Sequence, residues 1–166
     1  MSETILAREF SLDVAKKFAE EGKLYAILDA CDEPEVPSKV TALGDRATCL
    51  YRGVDDPKTL AIAPYLAHLD SSDVNWLAET LWGRFWGIFA IADSTLKAMR
   101  KHFRKFLTVD LEGQGPVYFR YYDPRVLETF LPTCNADQLT SFYGKIDAFG
   151  IFHPKLPGHL RLFTRA

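Results

Sequence analysis

Apolar positions along this chain follow two rhythms, one of short unbroken or alternating runs and one recurring every third or fourth residue. LYAILDA, from Leu24 to Ala30, carries apolar side chains on both faces, as a strand covered on both sides does. TCLYRG predicts a short strand ending at Gly53, and LAIAPYLAHL a further apolar stretch in which Pro64 implies an edge strand or a break. WGIFAIA, from Trp86 to Ala92, is the best central strand. TVDLEGQGPVYFRYYD reads as two strands joined by a Gly-containing turn, and IDAFGIFHP and GHLRLFTRA as two more.

The helical rhythm appears between these runs. SLDVAKKFAEEG places Leu12, Ala15 and Phe18/Ala19 on one face, with Ser11 as cap and Gly22 as stop. SSDVNWLAETLW predicts a helix capped by Ser71 or Ser72. After Ser94, Leu96, Met99, Phe103 and Phe106 form an apolar stripe, with Lys97, Lys101, Arg104 and Lys105 around the other side. NADQLTSFYG opens with a capping-box pair, Asn135 and Gln138, and closes at Gly144. Between Cys31 and Asp45, Pro34, Pro37 and Gly44 interrupt any period, which predicts a long loop. The fold class that follows is α/β, a single domain with a mixed β-sheet flanked by helices. Residues 1–22 form an N-terminal helical segment and residues 23–166 the α/β core, with short C-terminal strands.

FRYYDPRVLETFLP raises a separate question. Strand alternation puts Val117, Phe119 and Tyr121 on one face and Tyr118, Arg120 and Tyr122 on the other. Asp123 then suits an N-cap, Pro124 the first helical position, and Val126, Leu127 and Phe130 an apolar helix face. A mid-strand arginine among rings either grips an anionic group or stacks, and if covered it needs a partner; Asp29, at the end of LYAILD, is the natural one. On this reading Asp29, Arg120, Asp123 and Pro124 are architectural, while Tyr122 and Arg125 are candidates for partner contact.

Composition narrows the choices. A chain of 166 residues with 48% hydrophobic and 25% charged residues is one ordinary globular domain. A net charge of -2 gives no global reason to bind nucleic acid or an anionic membrane. No run approaches the roughly 20 apolar residues that span a bilayer, and MSETILAREFSLDVAKKF lacks the apolar core of a signal peptide, so a cytoplasmic location without membrane insertion is expected. Cys31, Cys49 and Cys134 are widely spaced, with no CxxC pair, and read as reduced thiols. His68, His102, His153 and His159 show no HExxH spacing, and neither GxxxxGKS nor GxGxxG occurs, so no metal or cofactor is expected.

Two rival chemistries remain. Cys31, just beyond a strand, together with Asp29 sketches a small hydrolase, and Asp29, Asp32, Glu33 and Glu35 supply carboxylates for acid/base work or a cation; a solvated acidic loop is the plainer reading. The basic helix over residues 95–106, KAMRKHFRKF within it, sketches a nucleic-acid-binding module, although Met99, Phe103 and Phe106 share the apolar stripe and so serve the core. Lys97, Lys101 and Arg104 are then left for a protein partner.

The order of motifs says more than any one residue. LYAILDA, LYRG, APYLAHL, WGIFAIA, the basic LKAMRKHFRKFL helix and GPVYFRYYDPRVLETFLP together resemble the domain of unknown function 4123 family, from Leu24 to roughly Phe149. FRYYDPRVL is the strongest portion, matching at Arg120, Tyr122, Asp123, Pro124, Arg125 and Leu127. The resemblance implies an adaptor chaperone of bacterial type VI secretion, a binding protein and not an enzyme. Its implied partners are a secreted effector and the spike protein onto which that effector is loaded. Many members also carry a variable C-terminal region associated with partner choice.

Overall fold

The computed structural model describes residues 4–166; residues 1–3 of the predicted N-terminal segment lie outside the described residues. Strand β5 (Gly87–Ile91), the run expected to be central, is the middle strand of a seven-stranded sheet, and β2 (Leu24–Asp29) lies beside it, between β5 and β4 (Pro64–His68). Beyond β4 lies β3 (Ala47–Cys49); beyond β5 come β8 (Ala148–Phe152), β9 (His159–Arg165) and β1 (Ile5–Ser11). All of these neighbours pair antiparallel. The domain is α/β, with helices on both faces of the sheet.

Alternation along β2 shows why two cores form. Leu24, Ala26 and Leu28 point to one face, where α1 (Asp13–Glu20), α2 (Val36–Leu43) and α4 (Ser71–Thr80) cover them, α3 (Pro57–Leu60) being a single turn ahead of β4. Tyr25 and Ile27 point to the other, beneath α5 (Leu96–Arg104), α6 (Pro124–Phe130) and α7 (Ala136–Tyr143). Both cores are closed, and each fully buried Leu, Ile or Phe contributes about 1.5–3 kcal/mol relative to exposure. The second core is rich in rings: Phe142 stacks on Phe149 and meets Tyr121, Phe106 and Phe130 edge-on.

Several local expectations change. Ile5–Ser11, ahead of the predicted first helix, is a strand: it pairs with β9 along its whole length, and its residues are mostly exposed, so no apolar rhythm reveals it. The predicted loop from Cys31 to Asp45 holds α2, with Pro37 in its first turn and only Val36 and Leu43 buried; packing, not periodicity, specifies it. Pro64 opens β4 inside the sheet instead of marking an edge, because a first-position proline costs the ladder little. The caps of α4 and α5 are Asp70 and Thr95, one residue before and after the serines expected.

The two predicted strands after α5 are β6 (Thr108–Leu111) and β7 (Gly115–Tyr118), a separate two-stranded ribbon. Because β7 ends at Tyr118, Arg120 is not mid-strand. Tyr121 and Tyr122 are consecutive and both buried, although they lie outside any strand. The chain instead turns, with the Asp123 N–H donating to the Arg120 carbonyl at 3.0 Å.

Candidate functional site

One end of the sheet gathers the residues singled out by the motifs. Asp29 closes β2, and its N–H donates to the carbonyl of Trp86 at 2.7 Å. That contact fixes the turn 82–87, WGRFWG, against the end of β2. Gly87 pairs with Leu28, and a Cβ on it would stand 1.8 Å from the Ile27 carbonyl oxygen. Only glycine permits this approach, and its φ of 148° is a further reason.

Asp29 is ion-paired with Arg120 and also accepts from the Cys31 N–H at 3.1 Å. The pair is asymmetric: the Asp29 side chain is 6% exposed and that of Arg120 42%. Burial therefore dominates at Asp29 and holds its carboxyl above the ordinary value of 3.8, although the Cys31 N–H and the Arg120 charge pull downward. Burial works most strongly against the Arg120 charge, but Asp29, Tyr122 and Cys31 together outweigh it and raise the guanidinium pKa. Arg120 also lies 5.8 Å from the Tyr122 ring. Tyr122 is 3% exposed and hydrogen-bonds with Tyr51; burial, then the neighbouring Tyr51 and Asp29, drives its phenol far above the usual range. A buried tyrosine presents nothing to a partner, so Tyr122 belongs with the architecture.

Asp123 caps α6 and does more. Its Oδ1 accepts from the Arg125 backbone N–H at 2.9 Å and from Nε at 3.1 Å, and its Oδ2 accepts from Nη2 at 2.8 Å. Burial opposes the Asp123 charge, yet the bonds and charge of Arg125 prevail and hold the carboxyl below the ordinary value. Pro124 starts the helix at the position that needs no N–H. Arg125, thus held by a fork of bonds, lays its guanidinium 3.9 Å from the centroid of Phe85, whose side chain is half exposed. Arg125 and Phe85 border a groove of about 220 Å³ whose lining also includes Trp82, Phe152 and Pro154. Trp82 stacks on Phe152 at 4.4 Å.

Two carboxylates of the acidic loop converge on Arg84 and not on Asp29 or Cys31. Glu33 is buried and accepts from Arg84 at 2.8 Å, Glu35 accepts from the same nitrogen at 2.9 Å, and Asp32 is exposed. The solvated loop expected from sequence is thus a strap tied to the 82–87 turn. Each histidine is engaged elsewhere: His68 with the Gly22 carbonyl, His102 with that of Phe142, His153 with Glu9 and His159 with the Pro157 carbonyl. Cys31 is exposed and gains no base from them. Among the described residues no group of three or more His, Cys, Asp or Glu is placed to hold a metal ion, and no helix is long and apolar enough to cross a membrane.

Lys97 and Lys101 are exposed on α5, as their spacing predicts, and line a second basin that shares no residue with the first groove. Arg104 differs from them. Its Nε and Nη2 donate to the carbonyls of Leu50 and Cys49, each at 3.0 Å, so it ties α5 to the end of β3. Sequence reasoning passed over Phe85, Tyr51, Arg52, Arg84 and Arg100. The signal for Phe85 was present in WGRFWG, an aromatic residue in a turn bounded by Gly83 and Gly87.

No curated protein and no solved structure matches the chain at a significant level. A family match, by contrast, spans residues 24–141, from the first residue of β2 to within α7, and so takes in the Asp29–Arg120 pair, the 82–87 turn and the Asp123–Arg125 fork. Covering well over half of the sequence, it shows that the chain belongs to the family described as Domain of unknown function (DUF4123).

Proposed function

We propose that this protein is an adaptor chaperone of bacterial type VI secretion, a binding protein that holds a secreted effector in the cytoplasm and brings it to the spike. The observation that carries the reading is the Arg125–Phe85 pair. Half of the Phe85 side chain is in water, Arg125 lies over its ring, and both border an apolar groove. Exposed aromatic and arginine side chains beside a groove are the usual anchors of protein interfaces. Arg125 also belongs to the Asp-Pro-Arg element on which the family resemblance is strongest, and Asp123 holds its guanidinium through two hydrogen bonds.

The test is co-purification of the tagged full chain with a type VI spike protein and with an effector encoded beside it. A complex with at least one of them is expected, weakened about tenfold or more by Phe85→Ala at unchanged melting temperature. A folded chain that retains neither protein at low ionic strength would remove the adaptor reading.

A further inference from the structure

Five cations meet on the face of the molecule that carries α5. Lys97, Arg100, Lys101 and Arg104 follow one another at helical spacing along α5, and Arg52 joins them from the loop after β3. With Thr95 and Ala98 they are the whole lining of an open basin of about 360 Å³. No carboxylate lines it. Among the described residues none of the five has a carboxylate partner: Arg104 bonds the neutral carbonyls of Leu50 and Cys49, and Arg100 donates to the Thr48 hydroxyl at 3.3 Å. Burial first, and then the charges of Arg100 and Arg52, depress the Arg104 pKa, so these cations feel one another. A chain with 20 Lys and Arg against 22 Asp and Glu thus concentrates unbalanced positive charge in one place.

We infer that this basin binds a carboxylate-rich, extended segment of a protein partner. The pitch fits. Residues four apart on a helix are about 6 Å apart along its axis, and alternate residues of an extended chain about 6.6 Å, so acidic side chains at every second position meet Lys97 and Lys101 in turn. Nucleic acid fits less well, because single-stranded grooves interleave their cations with stacking rings. Here no ring lines the basin, and Phe103, the aromatic residue between Arg100 and Arg104, is wholly buried. The inference names a ligand chemistry and stands apart from the secretion reading.

The experiment titrates the full chain into a fluorescein-labelled peptide of four Glu-Ser repeats, with a Gln-Ser peptide and a twelve-nucleotide oligothymidine as comparison probes. The acidic peptide is expected to bind at low ionic strength, the Gln-Ser peptide not to bind, and affinity to fall as salt is added. The double variant Lys97→Glu, Lys101→Glu should lose about tenfold or more, whereas Lys16→Glu, Lys17→Glu, an equal charge change on α1 across the sheet, should leave binding unchanged. Should the first double variant fail to fold, Arg52→Glu in the loop carries the same expectation. Absence of peptide binding, equal loss in both double variants, or oligothymidine binding as tight as the acidic peptide would overturn the proposal, the last in favour of nucleic acid.

Discussion

Asp29 and Arg120 stand 91 positions apart in the sequence and form an ion pair at one end of the sheet, with the carboxylate buried and the guanidinium partly in water. The pair pins the turn before α6 to the end of β2. Its imbalance of burial decides how it responds to change.

Removing Arg120 leaves a buried carboxylate with only the Cys31 N–H to satisfy it. Because the guanidinium is partly solvated, Arg120→Ala is expected to cost less than a fully buried pair, about 1–3 kcal/mol at neutral pH. The sign with pH follows from Asp29. Its folded-state pKa is raised, so the folded chain holds the proton more readily than the unfolded one, and stability falls as pH climbs from the ordinary 3.8 through the folded value. Without Arg120 that value rises further, and the loss should extend to higher pH. Urea melts of both proteins between pH 4 and 8 check this. Asp29→Asn in the Arg120→Ala background should flatten the difference, and a pH-independent loss would show that Arg120 acts through packing alone.

Gly87 offers a sharper test of the same corner. A methyl group there meets the Ile27 carbonyl at 1.8 Å, backbone against backbone, with no flexible side chain to yield. Gly87→Ala is expected to cost at least about 3 kcal/mol, or to prevent accumulation of folded protein. By contrast Gly113→Ala, in the β6–β7 turn with nothing within 4 Å of its added Cβ, should bear only the strain of its φ of 78°. Comparing the two by thermal melting separates close approach from conformational strain.

The corner was partly legible in the sequence, for identifiable reasons. Asp123 and Pro124 are recognisable because caps and first turns are local chemistry, and the same holds for Asn135 with Gln138. Asp29 and Arg120 can be matched because an arginine amid rings and an acid ending an apolar strand each need a partner. What stays hidden depends on tertiary contact. β1 is mostly exposed and exists through its pairing with β9; α2 buries two residues; and Tyr122 looks like a surface residue until the chain turns after Tyr118. Arg104 shares its helix with the exposed lysines, and only its carbonyl partners on Cys49 and Leu50 set it apart.

Asp73 marks another contact that periodicity does not reveal. It is 2% exposed, accepts from Lys39 and Arg46 at 2.7 Å each, and takes the Asp70 N–H at 2.9 Å to complete the capping box of α4. Asp73→Ala removes the side-chain half of the box and leaves Lys39 without its carboxylate and Arg46 with Asp70 alone, and since Arg46 is partly exposed the cost should be about 2–3 kcal/mol. Asp73→Asn retains an oxygen for the Asp70 N–H but not the charge, so it should recover only part. Chemical denaturation of the two variants measures the division.

Asp123 joins folding to the proposed interface, and substitutions there should separate the two. As an N-cap it is worth about 0.5–2 kcal/mol, lost in Asp123→Ala and largely kept in Asp123→Ser or Asp123→Asn. Its folded-state pKa is lowered, so its contribution is present above the ordinary 3.8 and disappears as pH falls through the depressed folded value. The second task depends on charge. Oδ1 and Oδ2 together hold the Arg125 guanidinium over Phe85, a fork that neither serine nor a neutral amide reproduces. Asp123→Asn is therefore expected to melt near the parent temperature yet to bind the spike or effector several-fold more weakly, mainly through faster dissociation. Phe85→Ala combined with Asp123→Asn should lose little more than Phe85→Ala alone, since both remove the same anchor. Full binding by Asp123→Asn would mean that the orientation of Arg125 is incidental and that the partner surface lies elsewhere, whereas additive losses would mean that Asp123 and Phe85 act separately.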